Sequence, residues 1–127
     1  MTRYLLDTHA LVWWWLKDPK LSDRASEAMS AEEVLVSAAS LYEIANKVRR
    51  DQLDALRELL THHEVALAED GFAALPVNNR HARHAGLLEG RHRDPFDRMI
   101  AGQALVENLT VITRDRQIAA FGCKVLW

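Results

Sequence analysis

The sequence predicts an α/β protein, a three-layer α/β/α sandwich with a mainly parallel central sheet. Three observations carry that expectation. Short apolar runs of strand length, at 3–7, 34–37 and 109–113, are separated by longer segments with apolar residues at helical spacing. Strands that alternate with helices pair in parallel, and the connecting helices cover both faces of the sheet. The 127 residues suffice for one hydrophobic core, and no linker, low-complexity tract or repeat divides them, so residues 1–127 read as one domain.

Taken in order, Arg3 to Asp7 reads as a short strand and Thr8 to Lys17 as a helix, which Asp18-Pro19 stops. Ser22 precedes a second helix, with Ala25, Ala28 and Met29 at helical spacing. VLVS at 34–37 is β-branched and apolar, hence a strand. In the helix after it, Leu41, Ile44, Ala45 and Val48 fall at i, i+3, i+4 and i+7 and define one apolar face. Asp54 to Ala68 is expected as one longer helix through Leu56, Leu59, Leu60 and Leu67. FAALPV follows as a short strand, and Pro76 places it near an end or an edge. Asn79 to Leu88 is helical again. Asp94 is a good N-cap for the next helix, with Pro95 at its first position. LTVIT at 109–113 is the clearest strand, DRQIAAF a short helix and CKVLW a last strand.

Composition narrows the class. With 49% hydrophobic and 27% charged residues this is an ordinary globular chain. Its longest apolar run, Ala10 to Leu16, is far short of the roughly 20 residues a membrane span needs. Asp7 and His9 break the only candidate secretory signal, so a cytoplasmic protein is expected. Cys123 stands alone and forms no internal disulfide, in keeping with a reducing compartment. A net charge of −2 gives no general attraction for phosphate backbones. Between Arg80 and Arg98, however, five arginines and three histidines face only Glu89, Asp94 and Asp97. That run is either a basic patch or a solvated face with scattered arginines.

The acids locate a candidate site. Asp7 ends the first strand, Asp115 follows LTVIT by one residue, Asp94 and Asp97 open the helix at Pro95, and Glu43 lies off the apolar face of its helix. Singly, each has a structural role: Asp7, Asp94 and Asp115 as N-caps, Asp97 at the positive end of a helix dipole, Glu43 paired with Lys47. Together they mean more. In a parallel sheet the residues after the strand ends gather along one edge, so Asp7, Asp115 and the start of the Glu43 helix converge there. With Asp97, four carboxylates would share one site and repel unless a cation intervened, and carboxylates plus water are what Mg²⁺ prefers. His9 reads as a hydrogen-bonding neighbour. His81 and His84 lack a third ligand at zinc spacing, and His62-His63 reads as a solvated helix face.

The segments LLDTHALVW, SAASLYEIANKV, HRDPFDRMIAGQAL and LTVITRD, in this order over nearly the whole chain, resemble the PIN-domain ribonucleases, and among them the VapC toxins of bacterial type II toxin–antitoxin pairs. The resemblance implies an acidic site at Asp7, Glu43, Asp97 and Asp115, with Asp7 and Asp97 the acids most directly tied to metal. It puts a supporting hydroxyl at Thr113. The implied activity is Mg²⁺- or Mn²⁺-dependent hydrolysis of RNA phosphodiesters, with one ion or two. It also implies a homodimer and a cognate antitoxin that holds the enzyme inactive. One departure is visible, since relatives often follow the lysine after the glutamate helix with a glycine turn, where this chain has Lys47 and then RRDQL.

Thr8 is expected to support the turn beside Asp7. Arg98, Arg114 and Arg116 adjoin site acids and would either steer an RNA backbone or form salt bridges. Trp13, Trp14 and Trp15 are consecutive on a helix and point about 100° apart. They cannot all face one core, so at least one is expected at the surface as a partner interface, unless the helix is wedged between sheet and neighbour. Two other readings differ in kind: a PIN nuclease that processes RNA without being a toxin, and a catalytically silent interaction module whose acids are only caps. The intact set of four acids argues against the second.

Overall fold

Alternation along the first strand sets the layers. In the computed structural model, which describes residues 2–127, strand β1 (Arg3–Leu6) sends Tyr4 and Leu6 into one core and Leu5 into another. Strand β2 (Glu33–Ser37) divides likewise, with Val34 and Val36 on the first side and Leu35 on the second. Such period-2 division buries both faces, as helices on either side of a sheet require. With β3 (Phe72–Leu75), β4 (Thr110–Ile112) and β5 (Val125–Leu126), these strands form one sheet in the order β3-β2-β1-β4-β5, every pairing parallel. Register is set at the centre: Leu5 lies opposite Leu35 on one side and Val111 on the other.

The chain builds one half of the sheet through β1, β2 and β3, then crosses to the other side of β1 for β4 and β5. The strand order therefore reverses between β1 and β4. Helices α1 (Thr8–Leu16), α2 (Asp23–Ala31), α3 (Ala38–Arg49), α4 (Arg57–Thr61) and α5 (His63–Asp70) pack on the first core. Helices α7 (Pro95–Glu107) and α8 (Arg116–Ala120) pack on the second, and α6 (Asn79–Leu87) lies along α7. The expected three-layer sandwich is the fold observed. Cys123 sits in the second core, and burial pushes its thiol up to about 11.

Element ends differ from expectation where backbone chemistry intervenes. β1 stops at Leu6, one residue before the expected end, and Asp7 beyond it is the N-cap of α1, the role read for it singly, accepting from Ala10 N at 2.8 Å. Lys17 closes α1 in the left-handed region, at φ 54°. The single helix expected over 54–68 is instead three pieces: a 3-10 turn at Asp54–Leu56, then α4 and α5. His62 leaves the helical basin at φ −115° and ψ 35°. The Thr61 hydroxyl turns back to the Arg57 carbonyl at 3.2 Å, a bond that competes with helix continuation. Pro76 lies just beyond β3, an edge strand, where its missing N–H costs no ladder bond.

Polar groups fasten α6 to α7. His81, almost fully buried, caps α6 with Asn78 and meets Glu107 of α7 at 2.9 Å. The side-chain amide of buried Gln103 donates to the Pro76 carbonyl at 3.3 Å. Gly102 allows the close approach between them: a Cβ there would lie 2.7 Å from Ala85 Cβ and 2.9 Å from the Ala85 backbone. Gly102→Ala therefore forces α6 off α7 despite the better helix propensity of alanine. It should destabilise the protein by about 1–3 kcal/mol, measured by urea unfolding.

Candidate active site

The point where strand order reverses in an open α/β sheet leaves a crevice at the carboxyl ends of the flanking strands. Here it opens after β1 and β4, and the first residues beyond those strands include Asp7, Thr113 and Asp115. The Asp7 amide continues the ladder to the Ile112 carbonyl at 3.1 Å. Its carboxylate, 4% exposed, accepts from Ala10 N and from the Thr113 hydroxyl. That hydroxyl in turn accepts from Asp115 N at 2.9 Å, and Asp115 caps α8 through Gln117 N at 2.9 Å. Thr113 thus ties the two strand ends together through side chains.

Asp97 comes from the first turn of α7, which Asp94 caps by accepting from Phe96 N at 2.8 Å and Asp97 N at 3.3 Å. Its carboxylate meets His92 Nε2 at 2.7 Å. One ligand atom from each of His92, Asp97 and Asp115 lies within 4.8 Å of the others. Burial raises the Asp7 carboxyl above the ordinary carboxylate range, against the lowering effect of its Thr113 and Ala10 bonds, and the Asp97 charge raises it further. Burial also raises Asp97, the His92 bond opposes it, and the charges of Asp94 and Asp115 add to the rise. Mutually repelling carboxylates with a neighbouring imidazole fit a divalent cation, whose charge would offset the repulsion.

Glu43, expected as the fourth acid, is half-buried on α3 and pairs with Lys47 at 3.3 Å. Its helix packs against both α1 and α7. Ser40, one turn earlier, accepts from the Thr8 hydroxyl at 3.1 Å, which ties the start of α1 to α3. Tyr42 meets the Phe96 ring at 5.8 Å, beside Asp97. The structure brings Asp97 within electrostatic reach of Asp7 and of Asp115, with Asp7 outside the cluster of ligand atoms that His92, Asp97 and Asp115 form, whereas Glu43 is engaged by its lysine.

The three arginines beside site acids separate into two kinds. Arg98 donates to the carbonyls of His92 (2.8 Å), Leu88 (2.7 Å), Gly90 (3.1 Å) and Ala85 (3.2 Å) and lies over the Phe121 ring. It neither pairs with Asp97 nor is free for a substrate: its forked donors hold the 88–92 loop, which carries His92. Arg114 and Arg116 are exposed, and among the described residues neither pairs with a carboxylate. The Arg114 guanidinium lies 4.5 Å over the Trp13 ring. Both arginines line a groove of about 380 Å³ with Asp7, His9, Trp13 and Asp115.

Trp13 is 9% exposed, while Trp14 and Trp15 are partly buried against the first core, so α1 is largely wedged in place. Trp15 Nε1 donates to Asp70 at 3.1 Å. All three still line a second groove, of about 480 Å³, on the side of α2. His92 is the site residue that sequence reasoning missed. Its signal was its place in HRDPFD, two residues before the Asp94 cap, hidden among the histidines and arginines of the 80–98 run.

A family model described as the PIN domain matches residues 4–122. Ribonuclease VapC22 of Mycobacterium tuberculosis is 29% identical over 126 residues, covering 93% of this chain and 91% of the relative. Among solved structures, VapBC2 from Rickettsia felis bound to a DNA fragment from its promoter superposes at a TM-score of 0.73, with 16% identity and 98% coverage of each chain. FitAcB from Neisseria gonorrhoeae gives 0.71 with 23% identity, covering 98% of this chain and 96% of the other. VapBC-1 from nontypeable Haemophilus influenzae gives 0.66 with 21% identity, covering 98% and 97%. At these identities the solved structures show the shared fold.

Two measurements test the site. Because Asp97 has its carboxyl raised above an ordinary value of 3.8, the unfolded chain releases this proton first as pH rises. The stability this group contributes is therefore fully present below about 3.8 and is lost as pH climbs through the raised value. Asp97→Asn should flatten that fall, read as the pH dependence of the melting temperature of the metal-free protein. Arg98→Lys, which cannot reach four carbonyls with one ammonium, should destabilise by about 1–3 kcal/mol and speed amide exchange across residues 88–94.

Proposed function

This chain belongs to the PIN-domain family, and we propose that it is an endoribonuclease of the VapC kind, the toxin of a toxin–antitoxin pair. It hydrolyses RNA phosphodiester bonds, and a cognate antitoxin holds it inactive. The observation that carries this reading is the approach of Asp97 to Asp115 and His92, with Asp7 within reach of the Asp97 charge, at the point where strand order reverses. The relative named as a ribonuclease supports the chemistry, and the neighbours named VapBC2, FitAcB and VapBC-1 support an antitoxin as partner. A cytoplasmic homodimer completes the reading, in a chain whose described residues include no helix long and apolar enough to cross a membrane.

Each residue has a task in this reading. Asp97 and Asp115 offer oxygen ligands to a divalent cation, Mg²⁺ or Mn²⁺, with Asp7 beside them. When bound, that ion supplies Lewis acidity toward the scissile phosphate. Asp7 is held in one orientation by Ala10 N–H and the Thr113 hydroxyl, so no rotamer search precedes binding. His92 fixes the Asp97 carboxylate. Glu43 would complete a second metal position or orient water only on releasing Lys47, with which it pairs. Arg114 and Arg116, which pair with no carboxylate among the described residues, meet the RNA backbone and the charge that develops in the transition state. Trp14 and Trp15, lining the groove beside α2, belong to the partner surface.

Purified protein should cleave a mixed RNA pool with Mg²⁺ or Mn²⁺ and stop when EDTA is added. Asp97→Asn, checked for folding by its melting curve, should lose at least about a hundredfold in rate. Cleavage that survives EDTA or this substitution would overturn the assignment. The exposed Arg91 and Arg93 extend the basic run beside His92. Replacing both by alanine should weaken RNA binding and lower the slope of log affinity against log salt by about one to two. An unchanged slope would make that run a solvated face.

A further inference from the structure

His9 is not among the residues that offer a ligand atom to the acidic cluster, yet it stands at its edge, close enough for its charge to act on Asp7, in an uncommon setting. Its exposed ring stacks on Trp13, with centroids 5.4 Å apart and planes at 28°. Trp13 cannot move away. It is 9% exposed, the Trp127 ring meets it edge-on at 5.7 Å, and the Arg114 guanidinium lies over it at 4.5 Å. Among the described residues His9 forms no side-chain hydrogen bond or ion pair. A flat ring is therefore held against a rigid support, beside the groove that contains Asp7, Asp115 and the two unpaired arginines.

We propose that the groove is a nucleotide subsite in which one unpaired RNA base stacks on His9, backed by Trp13, while Arg114 and Arg116 take the adjoining phosphate. The inference rests on the ribonuclease reading above and adds a substrate requirement to it. Every base has a π-face, so a platform of this kind selects accessible bases over paired ones rather than one sequence. Proximity to Asp7 and Asp115 puts the stacked nucleotide next to the scissile bond. A base inside a duplex is already stacked on both sides and cannot enter.

The test uses the Asp97→Asn protein, so that RNA is bound without being cut, and compares an unstructured oligoribonucleotide with the same strand fully paired. The unpaired strand should bind more tightly. His9→Ala in this background should weaken its binding by about tenfold, the scale of one base–aromatic stack, and His9→Phe should restore most of the loss. Equal affinity for paired RNA would overturn the proposal. So would a His9→Ala protein that binds like its parent, or a His9→Phe protein as weak as His9→Ala with an unchanged melting curve. If the wild type still cleaves RNA in any of these cases, the subsite fails and the nuclease reading stands. If no form binds RNA and the wild type does not cleave it, both fail.

Discussion

The hydrogen bond from Thr113 to Asp7 is the interaction on which the site depends. Asp7 and Thr113 are far apart in the chain and adjacent in space only because β4 crosses over to pair with β1. The backbone makes half of the connection, through the Asp7 amide and the Ile112 carbonyl. The side chains make the other half. By donating to Asp7 and accepting from Asp115 N, one hydroxyl fixes two acids on two elements, so their separation is set by sheet register rather than by loop conformation. Register in a sheet buried on both faces is hard to slip, because a shift by one residue would exchange Leu5 with Tyr4 and Leu6 across the two cores.

Asp97 has to be brought in differently, and at an electrostatic cost. Burial and the neighbouring charges of Asp94 and Asp115 all oppose its ionisation, and Asp7 in turn feels the Asp97 charge. Two devices hold it there. The Asp94 cap fixes the first turn of α7, and His92 pins the carboxylate from the loop that Arg98 gathers by its carbonyls. Gly90, at φ 130° and with Phe121 only 3.3 Å from where a Cβ would stand, lets that loop fold over the aromatic ring. Such a cluster is stable only because the surrounding packing over-determines it, which is common for groups arranged to bind a cation.

Much of this was legible in the sequence, for reasons that differ by element. VLVS and LTVIT are short β-branched runs, and Asp94-Pro95 is a local start signal that needs no tertiary information. Alternation of strands with helices implied a parallel sheet, and that alone brought Asp7 and Asp115 to one edge. The 54–68 segment misled because periodicity registers the apolar face and not the backbone, and Thr61 and His62 break the helix without disturbing that face. Arg98 was read from its neighbour Asp97. No sequence signal shows that its guanidinium points away, toward carbonyls at the end of α6 and in the loop after it, six to thirteen residues earlier. His92 was obscured for the same reason, since the bond that matters depends on that loop being gathered.

The division of the arginines explains how a weakly acidic chain can be arranged for a polyanion. Acids at the floor of a groove repel a phosphate backbone, and a net charge of −2 does nothing to offset this at a distance. Attraction has to be local. Arg98 cannot provide it, since its donors are spent inside the protein. Arg114 and Arg116 can, because Asp115 between them directs its carboxylate to the start of α8 and leaves both guanidinium groups unpaired. Had Asp115 paired with either, the proposed metal ligand and the proposed phosphate contact would have been tied up together. Capping α8 with Asp115 therefore does two things at once: it fixes the acid near Asp97, and it frees the cations on either side.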